Sequence, residues 1–166
     1  MSEQRSAIRI PAKGTKGTRI PGEKLLMRIG KPFMDQQVKK YRNAPGPEQG
    51  KFMGFPVLLL TTVGAKTGKE HTHVLGGFPD GKDAWLVIAS KGGAPTHPNW
   101  YHNLQKHPEV TVEVGDEKFK ASANVMDGDE YERLYQHHAS INPGFHEYRT
   151  KTTRKIPVIV LERLSP

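Results

Sequence analysis

The feature that most constrains the fold is a pair of alternating segments joined by Gly115-Asp116. Valine occupies every second position of 110–114, and apolar residues occupy every second position of 119–125. Side chains on a β-strand point alternately to the two faces of a sheet, so each segment predicts a strand with one buried face. Glycine and aspartate between the segments are turn residues. Together they predict an antiparallel hairpin, and with it a β-rich fold.

Further segments have strand composition with turn residues at their ends. The continuous apolar run 56–62 predicts a buried strand, and Asp80-Gly81 predicts a tight hairpin turn. The additional predicted strands are 56–62, 70–78, 85–90 and 156–161. With the hairpin they make six mainly antiparallel strands, a pattern typical of a closed or half-closed small barrel.

Two or three helices accompany these strands. The segment 22–43 places Leu26, Ile29 and Phe33 at helical spacing among basic residues, which predicts an N-terminal amphipathic helix that Pro32 kinks or restarts. A second, short helix is expected to begin near Pro98 and to end before the next proline.

The last predicted helix begins with a capping box, in which Asp127 is followed three residues later by Glu130. Its buried stripe consists of Tyr131, Leu134, Tyr135 and His138. The segment 142–155 shows no periodic pattern and predicts an irregular, mobile flap.

The charge balance predicts an anionic partner. Lysine and arginine number 25 against 17 aspartates and glutamates, a formal net charge of +8. Nucleic acid, an anionic membrane surface and a highly charged small molecule all fit this charge.

Residues 1–21 predict a flexible basic arm before a single domain over 22–166. No apolar stretch approaches the ~20 residues of a membrane span, so the expected location is the cytoplasm. The basic helix 22–43 could also lie peripherally on an anionic membrane.

Two glycine-containing loops are candidate anion sites. The turn 64–69, Gly-Ala-Lys-Thr-Gly-Lys, lacks the spacing of a nucleotide-hydrolysing phosphate loop and joins two strands, so we reject that function. Its backbone amides and Lys66 could still form an anion nest, although a plain surface turn also fits. Lys91 begins a second loop, before Gly92-Gly93. If the second and third strands pair, the two loops lie at the same end of that pair.

The sequence contains neither a recognisable protein nucleophile nor a metal-binding motif. It has eight histidines and no cysteine, and the histidines lack metal-ligand spacing, so we expect no metal site. Any redox chemistry must therefore come from a bound coenzyme.

Three stretches together resemble one family closely. They are LLLTTVGAKTGKEHTHVL, IASKGGAPTHPNWYHNLQKHPEVTVEV and the closing RKIPVIVLER, within a resemblance that covers residues 20–164. The chain is similar to the deazaflavin-dependent nitroreductases and quinone reductases, which use coenzyme F-420. The resemblance implies a β-rich α+β fold, a six-stranded, mainly antiparallel split β-barrel like that of flavin reductases. This coenzyme carries a phosphodiester and a chain of glutamates, which agrees with the basic charge.

The resemblance also implies where the coenzyme binds. The residues at the coenzyme would be Ala65, Lys66 and Thr67 of the turn, His71, Thr72, His73, Val74, Leu75 and Gly76 of the next strand, Ile88, Ala89, Ser90 and Lys91 of the third strand end, and Asn99, Trp100, Tyr101, His102 and Asn103 of the short helix. Tryptophan and tyrosine at positions such as Trp100 and Tyr101 are more often core anchors than residues that stack on a cofactor.

The substrate pocket is implied at Phe145 and Tyr148, where Tyr148 would orient the acceptor or donate a proton. The chain departs from the family's pattern at two places. His71 stands where the family usually has arginine. Prodrug-activating members have several tyrosines in the segment where this chain keeps only Tyr148, with Phe145 in an equivalent aromatic position.

The predicted function is hydride transfer from reduced coenzyme F-420 to a small electron-poor acceptor, first a quinone, then an enone, lactone or nitro compound. One alternative is a flavin mononucleotide (FMN)-dependent reductase on the same fold. The other is a basic β-barrel module that binds nucleic acid, which we disfavour because the predicted strand faces are mostly aliphatic. The sequence does not predict an oligomeric state.

Overall fold

The computed structural model describes residues 23–43, 51–52 and 55–165, with side chains for 31–43 and 56–165. The predicted basic arm, 1–21, lies outside the described residues. No helix among those described is long and apolar enough to cross a membrane.

The described chain contains four α-helices and eight strands. In chain order they are α1 (Glu23–Asn43), β1 (Lys51–Phe52), β2 (Phe55–Val63), β3 (Glu70–Gly76), β4 (Phe78–Pro79), β5 (Ala84–Ile88), a 3-10 turn (Lys91–Gly93), α2 (Asn99–Lys106), β6 (Glu109–Val114), β7 (Glu117–Val125), α3 (Gly128–Ile141), α4 (Gly144–Lys151) and β8 (Val158–Arg163).

All six predicted strands are present, and β1 and β4 are additional two-residue strands. The strand order is β1-β2-β6-β7-β8-β5-β4, and β3 pairs with β2 outside this path. The β6–β7 hairpin is antiparallel with Val112 opposite Phe119, as its alternating sequence predicted. Gly115 in its turn has a φ of +60°, a conformation that glycine adopts without steric cost.

One predicted pairing does not form. The segment 70–78 was expected to continue as one strand and to pair with the third strand across Asp80-Gly81. In the structure β3 ends at Gly76 and pairs with β2, while only the two residues of β4 pair with β5. The neighbours of β5 in the sheet are β8 and β4. Because β3 and β5 do not pair, the predicted reason for the loops of Lys66 and Lys91 to lie at one end of a strand pair does not hold.

Contacts divide the chain into two compact units. The loop unit contains Ile88–Pro98 and Val125–Ile159, and the sheet unit contains the described residues up to Val87 together with Asn99–Asn124 and the C-terminal segment from Val160. The single domain over 22–166 stays a prediction.

In the sheet unit, helix α1 runs through Pro32, and its last turns pack on β2 and β3. Val38 and Tyr41 form a buried cluster with Leu59, and Val57 and Val74 pack against it. The Tyr41 hydroxyl donates to the carbonyl of Val57 at 3.2 Å and accepts from Gly115 N at 3.0 Å. Of the predicted apolar stripe, only Phe33 has a described side chain, and it is 62% exposed. The side chains of Leu26 and Ile29 lie outside the described residues.

In the loop unit, the predicted stripe of α3 is buried at all four positions, Tyr131, Leu134, Tyr135 and His138. The predicted capping box is wrong, because Asp127 makes no side-chain cap bond and Glu130 pairs with Arg133 instead. The carboxylate of Asp127 accepts from Lys155 Nζ at 2.6 Å. The Asp127 carboxylate, which the capping box would have used, is thus bonded to a lysine from the segment before β8.

The prediction of an irregular segment over 142–155 is also wrong, because Gly144–Lys151 forms α4. Arg149 makes two hydrogen bonds to the carboxylate of Glu132 on α3, at 2.8 and 2.9 Å. The guanidinium also lies over the ring of Tyr135, 4.1 Å from its centroid. These tertiary contacts stabilise a helix whose own sequence has little amphipathic pattern.

Candidate functional site

The turn between β2 and β3 is closed by its own backbone. Gly64 N donates to Lys69 O at 2.7 Å, and Gly68 N donates to Gly64 O at 2.9 Å. A Cβ on Gly64 would lie 2.4 Å from Thr67 Oγ1, so only glycine fits there. Lys66 and Thr67 are exposed at the tip of this turn. The turn therefore presents a lysine and a threonine from a tightly closed backbone.

Helix α2 anchors this turn from the side. Asn103, which is 7% exposed, accepts from Ala65 N at 3.0 Å and donates to Thr62 Oγ1 at 3.1 Å. Lys106 Nζ donates to Ala65 O at 2.8 Å. Asn103 was predicted as a coenzyme contact, and its hydrogen bonds make it a support of the turn. Sequence reasoning missed Lys106, although its i,i+3 spacing from Asn103 places both on one face of α2.

The predicted residues of β3 divide between two faces of the sheet. His71 and His73 are paired with Thr62 and Leu60, so they share the face on which Asn103 lies. Thr72 Oγ1 is hydrogen-bonded to Thr61 Oγ1 at 2.8 Å on the opposite face. Val74 lies on that same opposite face, against the α1 cluster. Alternation along the strand also puts Leu75 with the histidines and Gly76 with Val74.

The two histidines differ in environment. Burial, with a smaller contribution from the charge of His71, lowers the pKa of His73 below its usual 6.5. His73 is therefore neutral near pH 7, and His71 is exposed.

The five predicted residues of α2 have different surroundings. Trp100 and Tyr101 are 4% and 0% exposed, so their side chains are core anchors. The hydroxyl of Tyr101 accepts from Gln105 Nε2 at 3.1 Å. Asn99 is exposed and His102 is half-buried. Only these last two have side chains with open access to solvent.

In the loop unit, β5 ends at Ile88 and leads into a strained loop. Ile88 and Ala89 are buried. Ser90 is right-handed, with φ −75° and ψ −38°, and Lys91 follows with a φ of +45°. Successive right- and left-handed residues are the backbone combination found in anion nests, and here the Ser90 amide itself donates to Ile88 O at 2.9 Å. Lys91 Nζ donates to Thr96 Oγ1 at 3.1 Å.

Arg154 fixes this loop, and sequence reasoning did not single it out. The side chain is 6% exposed. Nε donates to Ala94 O at 2.7 Å, Nη2 to Ser90 O at 2.7 Å and Nη1 to Ala89 O at 3.2 Å. Its only sequence signal was its position at the start of the segment RKIPV, before a buried strand.

Helix α4 packs against the same loop. A Cβ on Gly93 would lie 3.0 Å from Tyr148 O and 3.3 Å from Tyr148 Cα, so glycine permits this close approach. The rings of Phe145 and Tyr148 meet edge to face, with centroids 5.9 Å apart. The Tyr135 hydroxyl donates to Phe145 O at 2.6 Å. The loop unit thus brings the predicted substrate-pocket residues beside the loop that carries Lys91.

Of the predicted coenzyme residues, Thr72 alone lines either of two cavities of about 430 Å³ in the described structure. One belongs to the loop unit and is lined by Asp127, Gly128, Tyr131, Glu132, Arg149, Arg154, Lys155 and Ile156. The other belongs to the sheet unit and is lined by Arg42, Thr61, Glu70, Thr72, Thr111, Lys118, Phe119 and Lys120. The second lies on the Thr72 face of the sheet, opposite Asn103. Within the described ranges, no three histidine, aspartate or glutamate side chains are grouped to hold a metal ion.

Comparison with known proteins gives one consistent result. A family model described as F-420H(2)-dependent quinone reductase matches residues 33–163. An F-420H(2)-dependent quinone reductase of Mycobacterium tuberculosis is 43% identical over 111 residues, which cover 65% of this chain and 74% of that protein.

Solved structures agree with this match. An F-420H2-dependent reductase is 38% identical, with a TM-score of 0.59 over 64% of this chain and 94% of the other. A protein solved as a domain-swapped dimer is 33% identical, with a TM-score of 0.60 over 80% of this chain and 99% of the other. The haem storage protein HutZ of Vibrio cholerae, 15% identical with a TM-score of 0.52, shares the fold alone. The predicted β-rich, mainly antiparallel split-barrel fold is confirmed.

Proposed function

Because this chain belongs to the F-420H(2)-dependent quinone reductase family, we propose that it transfers a hydride from the reduced deazaflavin to a quinone through residues of the two loops described above. The family is one of oxidoreductases that use coenzyme F-420, and the match gives no support to FMN as the cofactor. Activated enones, lactones and nitro compounds are further acceptors in the proposal.

The residues present fit a polyanionic coenzyme. In the loop unit, the backbone of Ser90 and Lys91 has the right- and left-handed combination found in anion nests, and the lysine adds a positive charge. In the sheet unit, Lys66 and Thr67 offer a cation and a hydroxyl at the tip of a rigid turn. The net charge of +8 attracts the same ligand over a longer range.

The geometry narrows the proposed contacts on β3 and α2. His71, His73 and Leu75 share the face of the Asn103-anchored turn, so their side chains are proposed as contacts. Thr72, Val74 and Gly76 point to the opposite face and are proposed to contribute backbone only. On α2, Asn99 and His102 are proposed contacts, while Trp100 and Tyr101 are core residues and Asn103 supports the turn.

In the proposed mechanism the protein binds and orients, because the bound coenzyme itself supplies the hydride. Lys66 and Lys91 hold the anionic groups, and the backbone amides at the Lys66-Thr67 tip of the turn are proposed to stabilise negative charge on the ring. Phe145 stacks on a flat acceptor. Tyr148 orients the acceptor oxygen, or donates the phenolic proton to it as the acceptor is reduced.

The observation that carries the proposal is the Ser90-Lys91 conformation. A positive φ in a residue with a Cβ costs roughly 1–2 kcal/mol, and such strain persists where the surroundings enforce it. Arg154 and α4 supply those surroundings here. Strain of this kind is concentrated at ligand-binding loops, which supports an anion at this position.

The test compares Lys91→Ala and Lys66→Ala with a matched control, Lys118→Ala, an exposed lysine of β7 outside both loops. Each loop variant removes a charge-assisted contact, so the Kd for F-420 is expected to rise about 10- to 100-fold, with kcat at saturating coenzyme changed much less. The control loses the same charge and should change Kd by less than about 3-fold, the screened long-range effect alone. Coenzyme affinity in both loop variants equal to that of the control would refute the proposed site.

A second proposal concerns location. We propose that α1 contacts an anionic membrane surface from the cytoplasmic side, where a lipid-soluble quinone would be found. The supporting observation is Phe33, exposed on a helix that also exposes Lys31, Lys39 and Lys40. An exposed aromatic among lysines is typical of helices that lie on anionic bilayers.

A further inference from the structure

We propose that Arg154 is a positioning residue for the coenzyme: its buried guanidinium holds the Ser90-Lys91 backbone in the conformation that binds the anionic group. The inference rests on the proposed function of this loop. Arg154 is assigned no part in hydride transfer.

The contacts of Arg154 connect the two ends of the loop. Two of its bonds go to the carbonyls of Ala89 and Ser90, before the turn, and one goes to Ala94, directly after it. Between these acceptors the loop makes its 3-10 turn, in which Gly93 N donates to Ser90 O and Ala94 N to Lys91 O. The guanidinium therefore ties together the entry and exit of the strained turn.

The planar guanidinium is the group that can do this. Its N–H donors diverge from one rigid plane, so Nε, Nη1 and Nη2 each reach a different carbonyl. A lysine ammonium would keep the charge but concentrate its donors at one atom. It could not bridge both ends of the loop with the same geometry.

His97 is a further acceptor for the Arg154 guanidinium. Arg154 Nη1 lies 3.0 Å from His97 Nδ1, and both side chains are buried. Because a guanidinium N–H can only donate, Nδ1 must accept, which requires a neutral imidazole. The Arg154–His97 bond also fixes the chain just after the loop, on the side where Lys91 Nζ meets Thr96.

The hydrogen bonds of Arg154 are buried and therefore strong. We expect their loss to affect mainly the loop that they hold. A buried cation is stabilised only when its N–H donors are hydrogen-bonded. A buried positive charge that no longer reaches the loop carbonyls is therefore costly. The strained φ of Lys91 then has less to hold it, and the loop is expected to relax toward conformations that no longer align its amides.

The first experiment is Arg154→Lys, studied by amide hydrogen exchange on the full chain without coenzyme. We expect the amides of 89–97 to exchange about 10-fold faster or more, while those of β6 and β7 remain at the wild-type rate. Arg163→Lys is the matched control, because this arginine makes several contacts elsewhere, with Glu117, Trp85 and Phe119. Unchanged exchange in 89–97 would overturn the inference.

The second measurement is the Kd for F-420, together with kcat at saturating coenzyme. Arg154→Lys should raise Kd about 10-fold or more with a smaller change in kcat, and Arg163→Lys should leave both near wild type. A purely structural role would lower the melting temperature without this separation of Kd from kcat. Normal affinity in a variant whose loop exchanges faster would also overturn the inference.

Failure of the inference is distinguishable from failure of the proposed function through Lys91→Ala. If Lys91→Ala weakens binding and Arg154→Lys does not, the coenzyme site stands and the positioning role of Arg154 falls. If Lys91→Ala binds normally, the loop is not the coenzyme site and both fall. Should Arg154→Lys not fold, His97→Phe keeps the ring volume but removes one acceptor. It should raise exchange in 89–97 and Kd in the same direction by a smaller factor, and wild-type values would overturn the inference.

Discussion

The loops that contain Lys91 and Ala65 are held by different side-chain contacts. Lys91 is in a backbone conformation that a side chain normally avoids, and the surrounding hydrogen bonds of Arg154 keep it there. Asn103 instead acts from α2, outside the turn, and accepts a hydrogen bond from the Ala65 amide. Removing Lys91 therefore removes a charge, whereas removing Asn103 would leave a buried polar group without its partner.

Tyr148→Phe tests the proposed role of this residue in the reaction. We expect the rate of quinone reduction to fall about 10-fold or more, because one orienting or proton-donating hydroxyl is lost. The Kd for F-420 and the melting temperature should stay near wild type, since the backbone of Tyr148 makes its close contact with the Gly93 loop. Steady-state rates at saturating coenzyme provide the measurement.

The matched variant is Phe145→Tyr, which adds a hydroxyl at the neighbouring ring. By the family resemblance it should shift the acceptor range toward nitro-aromatic compounds. Wild-type rates of Tyr148→Phe on every acceptor would remove this tyrosine from the mechanism, and a lowered melting temperature would give it a packing role instead.

Among the elements, α4 depends most on tertiary contacts. Its attachment to α3 comes from the Arg149–Glu132 ion pair, the Arg149–Tyr135 stacking and the Tyr135 hydroxyl on Phe145 O. Burial raises the pKa of Tyr135, so the hydroxyl keeps its proton and remains a donor. The helix that carries Phe145 and Tyr148 is thus held at several points rather than free as a flap.

The ion pair predicts an acid response of α4. Hydrogen bonds from Arg149 and Gln136 lower the pKa of Glu132 from 4.5 to about 2. A lowered carboxylate pKa stabilises the folded state above pH 4.5, and that contribution is lost as the pH falls from 4.5 toward 2. The carboxylate is half-exposed, so we expect a small effect, below about 1 kcal/mol.

Glu132→Gln is the control for this acid response. Hydrogen exchange of α4 in the wild type should rise between pH 4.5 and pH 2.5 relative to pH 6, after correction for the intrinsic rate. The variant should already exchange faster at pH 6 and show a flatter pH profile. Identical profiles for the two proteins would contradict the role given to the Glu132–Arg149 pair.

At the scale of the whole molecule, the net positive charge and the exposed side of α1 are the features that predict an anionic membrane as a partner. Phe33→Ser should lower binding to vesicles that contain anionic lipid and leave the folded state nearly unchanged, because this ring is 62% exposed. Co-sedimentation with anionic vesicles measures the effect, and vesicles of neutral lipid provide the control.

Truncation before Asn43 is not a suitable alternative for this test. It would remove Tyr41, whose hydroxyl bonds to Val57 O and Gly115 N in the sheet unit. The truncated chain would lose stability whether or not α1 touches lipid. Equal sedimentation of wild type and Phe33→Ser would assign α1 to packing alone.

The sequence by itself determined the strands, the stripe of α3 and the coenzyme class. Alternation at 110–114 and 119–125 is a local pattern of period two, and the side-chain direction that it encodes does not depend on distant residues. The glycines of the two loops, the basic charge and the three quoted stretches are equally local. The charge predicted an anionic partner, the resemblance carried by the three stretches predicted the coenzyme, and its binding loops stay a prediction.

Only the tertiary structure decided which predicted residues share a face, and which distant side chains hold them there. Alternation alone puts His73 and Val74 on opposite faces of β3, but only the pairing with β2 and the Asn103–Thr62 bond show that the His73 face is the one on which Asn103 lies. Arg154 follows Ser90 by 64 residues and Lys106 follows Ala65 by 41, so no local period relates them to their acceptors. Asp127 and α4 illustrate the same limit. A capping bond gave way to a lysine from another segment, and a helix formed where contacts with α3 outweighed weak local preference.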